Sequence, residues 1–238
     1  MNTSELTIVI PAKNEAVLIP RLLNSLANQD YRLMPNTKVY VADAASTDGT
    51  PEIVLGFRDR LNVSVIPGGL PAVGRNNGAR AADTPYVLFI DADIELADTT
   101  LVRRAMDLMR SRQLHCLTTN ISCPQGSRAD RLLYAGNNLC QYGSRLFKPF
   151  STGMFMLFDR QRFLSLGGFH EQALYAEDYM LSKNVARSKF AVLPGRVITT
   201  NRRFKKMGHL KLVRIFLGTA LHTWDDSYFL RDKQYWTA

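Results

Sequence analysis

Tyr86-Val87-Leu88-Phe89-Ile90-Asp91-Ala92-Asp93 is an apolar run that stops on two carboxylates held one residue apart. Val87 to Ile90 read as a strand of a parallel sheet, buried on both faces, because no polar residue alternates with the apolar ones. Asp91 and Asp93 then fall at its C-terminal end, where open α/β sheets collect their ligands. Hard oxygen donors there suit Mg²⁺ or Mn²⁺, ions that keep open positions for the phosphates of a substrate. By itself an Asp-x-Asp after a strand is more often a turn or a helix cap, so the flanking sequence must decide.

Upstream, Leu6 to Ile10 is a β-rich run stopped by Pro11, and Glu15 to Asn28 carries Val17, Leu18, Leu22, Leu23 and Leu26 at helical spacing. The unit recurs: a strand over Lys38 to Ala42, the loop Asp43 to Thr50, and a helix starting near Pro51. Val63 to Ile66 is a third strand, Pro67-Gly68-Gly69 a turn, and Val73 to Ala82 a small-residue helix leading into the strand above. Such alternation predicts a mostly parallel sheet with right-handed crossovers. Downstream the pattern predicts a helix over Thr99–Arg112, a strand over His115–Ile121, a helix over Asp130–Tyr142 and a strand over Gly153–Phe158. A helix over Asp178–Ala186 and short strands at Phe190–Leu193 and Val197–Thr200 complete it. No Pro/Ser-rich linker divides the halves, so the reading is a single α/β domain with two lobes.

The 30 Lys and Arg outnumber the 21 Asp and Glu, a net charge of +9 that implies an anionic partner: nucleic acid, a phosphorylated small molecule or an acidic membrane surface. RNA-binding aromatic motifs are absent, so nucleic acid is not expected. Cys116, Cys123 and Cys140 are odd in number and lack Cys-x-x-Cys spacing, which argues against a disulfide framework or a zinc site and for a reducing cytosol. Met1 to Glu5 lack the basic start and apolar core of a signal peptide, and no uncharged apolar stretch approaches the roughly 20 residues that cross a bilayer. The expected location is cytoplasmic, including the cytoplasmic face of a membrane.

Three polar clusters follow strands of the first half: Lys13-Asn14-Glu15, Asp43 to Asp48, and Asp91 to Asp93. A parallel sheet brings all three to one edge. With Thr7-Ile8-Val9-Ile10-Pro11-Ala12-Lys13-Asn14-Glu15, Asp43-Ala44-Ala45-Ser46-Thr47-Asp48-Gly49-Thr50, Gly74-Arg75-Asn76-Asn77-Gly78-Ala79-Arg80, Gly167-Gly168-Phe169 and Glu177-Asp178-Tyr179-Met180-Leu181, the chain resembles family 2 glycosyltransferases of GT-A fold, its motifs standing in the family's order.

The resemblance implies a Rossmann-like sheet flanked by helices over residues 1–200, with a donor half of about 1–112 and an acceptor half of about 113–200. It implies metal-dependent, inverting transfer of sugar from a nucleoside diphosphate sugar, UDP- or GDP-linked, to an acceptor hydroxyl. Pro11, Ala12, Glu15 and Asp43 would line the nucleoside pocket. Arg75 and Asn76, read at the start of the third helix, would meet the diphosphate or base. Asp93 would ligate Mn²⁺ or Mg²⁺, and Asp91 would contact ribose or the metal's water. Asp178 would be the base that takes the acceptor's proton, with Glu177 orienting it or touching acceptor. Gly153 and Gly168 would allow close approach beneath sugar or acceptor, and Arg202 and Arg203 would clamp the diphosphate.

Residues 201–238 read as a basic amphipathic extension. From Phe204 to Trp224, Lys205, Lys206, Lys211 and Arg214 mix with many apolar residues, as in a helix lying on a membrane or one packed on its own domain or a dimer partner. A lipid-linked acceptor fits the first case. A nucleotidyltransferase and a non-catalytic sugar-nucleotide-binding protein remain as alternatives, although Pro11 to Glu15 offer no glycine-rich loop for a triphosphate.

Overall fold

The computed structural model describes residues 4–231. Its centre is built by the apolar runs read above. β1 (Leu6–Ala12) lies between β2 (Lys38–Asp43) and β4 (Tyr86–Ile90), parallel to both, and β3 (Val63–Pro67) extends the sheet beyond β2. With β5 (Cys116–Ser122), β6 (Phe155–Asp159) and β7 (Phe190–Ile198) the order is β3-β2-β1-β4-β6-β5-β7. Only β6 runs against its neighbours, pairing Ile90 with Phe155 and Tyr86 with Asp159. That reversal positions the site: the start of β6, and Gly153 just before it, lies at the edge where β4 ends in Asp91.

Register does the same on the other side, where Ala12 pairs with Asp43 at the C-terminal ends of β1 and β2. The two short strands expected near the end of the sheet are one, β7. Thr119 pairs with Leu193 but Asn120 with Arg196, so Pro194 and Gly195 bulge out of register, as proline's missing N–H requires.

Helices cover both faces: α1 (Ile19–Ala27), α2 (Thr50–Leu55), α3 (Pro71–Ala81), α4 (Leu101–Arg112), α5 (Arg128–Ser144), α6 (Arg160–Ser165) and α7 (Glu177–Ser182). α1 starts at Ile19 rather than Glu15 because Pro20 fits only a helix's first turn, which leaves Lys13 to Leu18 as loop. α3 starts at Pro71, two residues earlier than expected, which moves Arg75 and Asn76 into its second turn. α7 is one residue longer at its start than expected and stops at Ser182, the following residues closing in turns. α6, capped by Asp159, is too short to show a period and is absent from the sequence reading.

One core layer joins Leu6, Ile8 and Ile10 of β1 to Leu22 and Leu23 of α1 and Met106 of α4. The opposite face packs Phe89, Phe158, Phe163 and Phe169 with ring centroids 4.9–6.4 Å apart. Each fully buried side chain of this size contributes about 1.5–3 kcal/mol, and the aromatic cluster fixes the loop after α6 beneath the site.

Beyond β7 the chain continues as α8 (Arg202–Met207), α9 (His209–Leu221) and α10 (Asp226–Phe229). Phe204 rests on Tyr134 of α5, and Phe229 and Ile215 join Tyr175, Tyr179 and Met180 around α7. At the start of α5 Asp130 completes a capping box with Ser127 and also meets His209 Nε2 at 2.6 Å and Asn201 Nδ2 at 3.1 Å. These hydrogen bonds hold its carboxyl down to about 2 although burial works the other way. Among the described residues no helix is long and apolar enough to cross a membrane.

Candidate active site

The loops after β1 and β2 are stitched together by backbone amides. Asn14 N–H donates to Ser46 Oγ (2.8 Å), Glu15 N–H to Thr50 Oγ1 (2.9 Å) and Ala16 N–H to Asp48 Oδ2 (3.0 Å), while Thr47 N–H donates to Asn14 Oδ1 (2.9 Å). Asn14 adopts the left-handed conformation, φ 53°, that asparagine tolerates better than most residues. Ser46, Asp48 and Thr50 thus bind one loop to the other, positioning Pro11, Ala12, Glu15 and Asp43. Asp43 Oδ2 accepts from Ser46 N–H at 3.0 Å, while its Oδ1 is buried without a hydrogen-bond partner. Such an acceptor suits a hydroxyl or a base N–H.

Arg75 is the centre of the arrangement. Only 2% of its side chain is exposed. Nη2 donates to Asp91 Oδ1 at 2.6 Å, from the end of β4, and Nη1 to Glu177 Oε1 at 2.7 Å, from the start of α7. Burial works against its charge, but Asp91, Glu177 and Asp178 outweigh it and hold the guanidinium well into its charged range. Arg75 therefore turns inward to these carboxylates. Asn76 is likewise committed to protein: Nδ2 donates to Phe169 O (2.8 Å) and Glu171 Oε1 (2.9 Å), and Oδ1 accepts from Phe169 N–H (2.9 Å). Its mid-helix place is the reason, since the side chains there point across to the loop after α6 instead of out from the helix start. Gly168, φ 73°, lies in that loop, where a Cβ would come within 2.7 Å of Asn76 Oδ1.

Asp178 follows Glu177 in the first turn of α7. Gly153 N–H donates to its Oδ2 and Tyr179 N–H to its Oδ1, both at 2.7 Å. Burial and then Glu177 push its carboxyl up to about 7, against the opposing pull of Arg75 and the two amides. Ala176, just before, holds a left-handed φ of 56° that sends Glu177 to Arg75 and Asp178 to Gly153. Gly153 is forced by packing: a Cβ there would stand 2.3 Å from Arg75 Nη2.

Just past β4, Asp93 is pushed up to about 6 by burial and by Asp91. Arg202 of α8 reaches across to it, Nη2 lying 3.3 Å from Asp93 Oδ2, and also holds both Glu15 oxygens, at 3.0 Å for Oε2 and 2.5 Å for Oε1. Arg203, half-buried beside it, adds positive potential at Asp93. The structure thus gathers Glu15, Asp43, Asp91, Asp93, Gly153, Glu177, Asp178 and Arg202 around one sheet edge. Sequence reading missed the stitching role of Asn14, Ser46 and Asp48, and the anchor Asp130–His209. The Ser127-x-x-Asp130 spacing was the available signal for the capping box; the partners 71 and 79 residues away gave none.

The donor set fits a hard divalent ion that takes most of its ligands from phosphates and water. Asp93 supplies one carboxylate at the strand end, and Glu15 and Asp93 together already hold a cationic group, the Arg202 guanidinium. Among the described residues no group of three or more carboxylate, His or Cys side chains forms a closed cage.

Comparison with known proteins agrees with this architecture. Validoxylamine A glucosyltransferase of Streptomyces hygroscopicus is 38% identical over 93 residues, 37% of this chain and 22% of that protein. Poly(ribitol-phosphate) beta-N-acetylglucosaminyltransferase TarS of Staphylococcus aureus is 38% identical over 101 residues, 40% of this chain and 17% of that protein. The matches thus span about a fifth of these curated relatives. The crystal structure of TarS 1-349 with UDP-GlcNAc superposes with a TM-score of 0.68 at 23% identity, over 84% of this chain and 59% of that one. Mannosyltransferase PcManGT from Pyrobaculum calidifontis, in complex with GDP-Man and Mn²⁺, gives 0.68 at 24% identity, over 91% and 65%. These likenesses carry the fold, the GT-A arrangement expected from the motifs. The sequence profile described as glycosyl transferase family 2 matches residues 7–166, from β1 through α6 and so through both carboxylates after β4, and the chain belongs to that family.

Proposed function

We propose that this protein transfers a sugar from a nucleoside diphosphate sugar to an acceptor hydroxyl with inversion. The observation that carries the reading is one buried cation, Arg75, that joins Asp91 at the end of β4 to Glu177 at the start of α7, with Asp93 two residues beyond the first and Asp178 one beyond the second. Asp43 offers its unpartnered Oδ1 to the nucleoside, beside Ala12 and Pro11. The bound UDP-GlcNAc and GDP-Man of the two structural neighbours support a nucleotide sugar as the donor.

Asp93 would hold Mn²⁺ or Mg²⁺, with Asp91 behind it, and such an ion supplies charge neutralisation for a departing diphosphate. Arg202 contributes positive charge to the same edge and in the loaded enzyme turns from Glu15 and Asp93 to the phosphates. Inversion requires a base on the face of the sugar opposite the leaving group, and Asp178 is that base. The Gly153 and Tyr179 amides fix both its oxygens, leaving lone pairs for the acceptor's proton. Its raised pKa matches it to proton transfer near neutrality. Arg75 keeps Glu177 and Asp91 paired, so that Asp178 is the carboxylate left to accept a proton.

The acceptor is carried on a lipid or an envelope polymer at the cytoplasmic side of a membrane, a reading supported by the basic, apolar stretch 204–224 and the net charge of +9. Calorimetric titration of UDP and GDP with and without Mn²⁺ tests the donor site. One of the two should bind in the presence of Mn²⁺, and Asp93→Asn should lose the metal-dependent part; absence of any binding to the wild-type chain overturns the reading.

A further inference from the structure

α5 and α9 are bridged at both ends. Asp130 at the start of α5 meets His209 at the start of α9, and Lys148, just past α5, places Nζ 3.3 Å from the ring centroid of Trp224, just past α9. Each helix carries an apolar stripe on the side away from the body. Along α5 and the turn after it, Leu132, Leu139 and Leu146 repeat every seven residues, each at least 70% exposed, while Asp130 and Gln141 face inward. On α9, Leu210, Leu217 and Leu221 are 59–78% exposed, opposite the buried Leu212. Of the fourteen large hydrophobic residues exposed among the described residues, ten belong to these two helices and the few residues that follow them. Apolar surface gathered in this way marks an interaction site.

The charge around it selects the partner. Exposed basic residues rim both helices, Arg128, Arg131 and Arg145 on the first, Lys205, Lys206 and Arg214 on or before the second. No acidic residue occurs from Arg131 to Lys148 or from Arg202 to Trp224. A second copy of the chain meeting this face across a two-fold axis would set these cations against themselves. An anionic bilayer complements them, taking leucine and tryptophan below the headgroups and lysine and arginine among the phosphates. We propose that α5 and α9 together form a docking face for an anionic lipid surface. The face extends beyond the 204–224 stretch legible in sequence, because α5 contributes half of it. It is also tied to the chemistry proposed above, on which its purpose rests: Ile215 of α9 belongs to the cluster around Tyr179 of α7, and Thr223 receives the Tyr179 hydroxyl at 2.9 Å, one residue from Asp178.

Cys140 of α5 is exposed while Cys116 and Cys123 are buried, so an environment-sensitive dye can be attached to the face without altering the chain. The labelled protein is mixed with phosphatidylglycerol or phosphatidylcholine vesicles and followed by dye emission and co-sedimentation. Binding and a blue shift are expected with phosphatidylglycerol and not with phosphatidylcholine. Leu139→Glu/Leu217→Glu, both at exposed positions, should lose at least tenfold in vesicle affinity, and Lys205→Glu/Lys206→Glu should lose binding at moderate salt. Nucleoside diphosphate binding should be retained in both, which separates failure of docking from failure of the donor site and shows that the variants are folded. Absence of binding to phosphatidylglycerol, or binding unchanged in the leucine variant, overturns the proposal. So does a concentration-dependent dimer abolished by the same leucine variant without vesicle binding, which would assign the face to a second copy.

Discussion

Replacing Arg75 by Met keeps an apolar stem and removes the buried cation that joins Asp91 to Glu177. The side chain is 2% exposed and makes charge-assisted hydrogen bonds of 2.6 and 2.7 Å to Asp91 and Glu177. Two such bonds at roughly 1.5–3 kcal/mol each give about 3–6 kcal/mol, and the loss of one partner from a buried ion pair costs about 3–5 kcal/mol because it leaves charge uncompensated. Against a total stability of about 5–15 kcal/mol for an ordinary domain, the variant should be severely weakened. The deficit should also depend on pH. Without the cation, the Asp178 carboxyl, already pushed up by burial and Glu177, loses the opposing pull of Arg75 and rises further above the value of about 4 it has unfolded. A carboxyl raised in this way favours folding below its unfolded pKa and loses that contribution as pH rises through the folded value. Urea unfolding of wild type and variant at pH 5.5 and pH 8 reads the effect, and the deficit should be larger at pH 8 by about 1 kcal/mol or more, since each unit of pKa shift is worth about 1.4 kcal/mol. Adding Glu177→Gln should return part of it. A deficit below about 1 kcal/mol, or one equal at the two pH values, would refute the hub role of Arg75.

Three further outcomes follow from the same geometry. Gly153→Ala places a methyl 2.3 Å from Arg75 Nη2, and overpacking of this kind should cost about 1–3 kcal/mol in melting studies and lower kcat more than donor affinity. Asn76→Ala removes three hydrogen bonds to Phe169 and Glu171, leaving a buried N–H and carbonyl unpaired at about 1–3 kcal/mol each, and should lower the melting temperature while leaving nucleotide titration unchanged. With the Asp178 carboxyl held up to about 7, the base form is present above that value and lost below it, so kcat/KM should fall about tenfold per pH unit on the acid side of neutrality; a profile flat down to pH 5 contradicts this.

The first half of the chain was legible in sequence because its strands are contiguous apolar runs and its polar clusters stand at their ends, so parallel pairing alone brings Asp43 and Asp93 to one edge. The second half was less so. β6 carries the same apolar pattern as a parallel strand, and nothing local in Phe155 to Asp159 announces its reversed direction, which is what delivers Gly153 to Asp91. Arg75 and Glu177 are 102 residues apart, and a buried arginine on a helix looks in sequence like an anion-binding one. Asp178 was singled out through its motif alone, whereas its hold on the Gly153 amide depends on three-dimensional placement. The exposed leucines of α5 were hidden for the opposite reason: a helical period shows which residues share a face, and only packing on β5 shows which face is left to solvent.

We propose Asp178 as the group that takes the acceptor's proton, in a site whose nucleotide side stands without it. Transfer by Asp178→Asn at saturating donor and Mn²⁺ tests this most directly. The expected loss is about 10²–10⁴ in kcat, the range for a general base, with nucleoside diphosphate affinity within a few-fold of wild type; transfer at a near wild-type rate would mean that another group takes the proton.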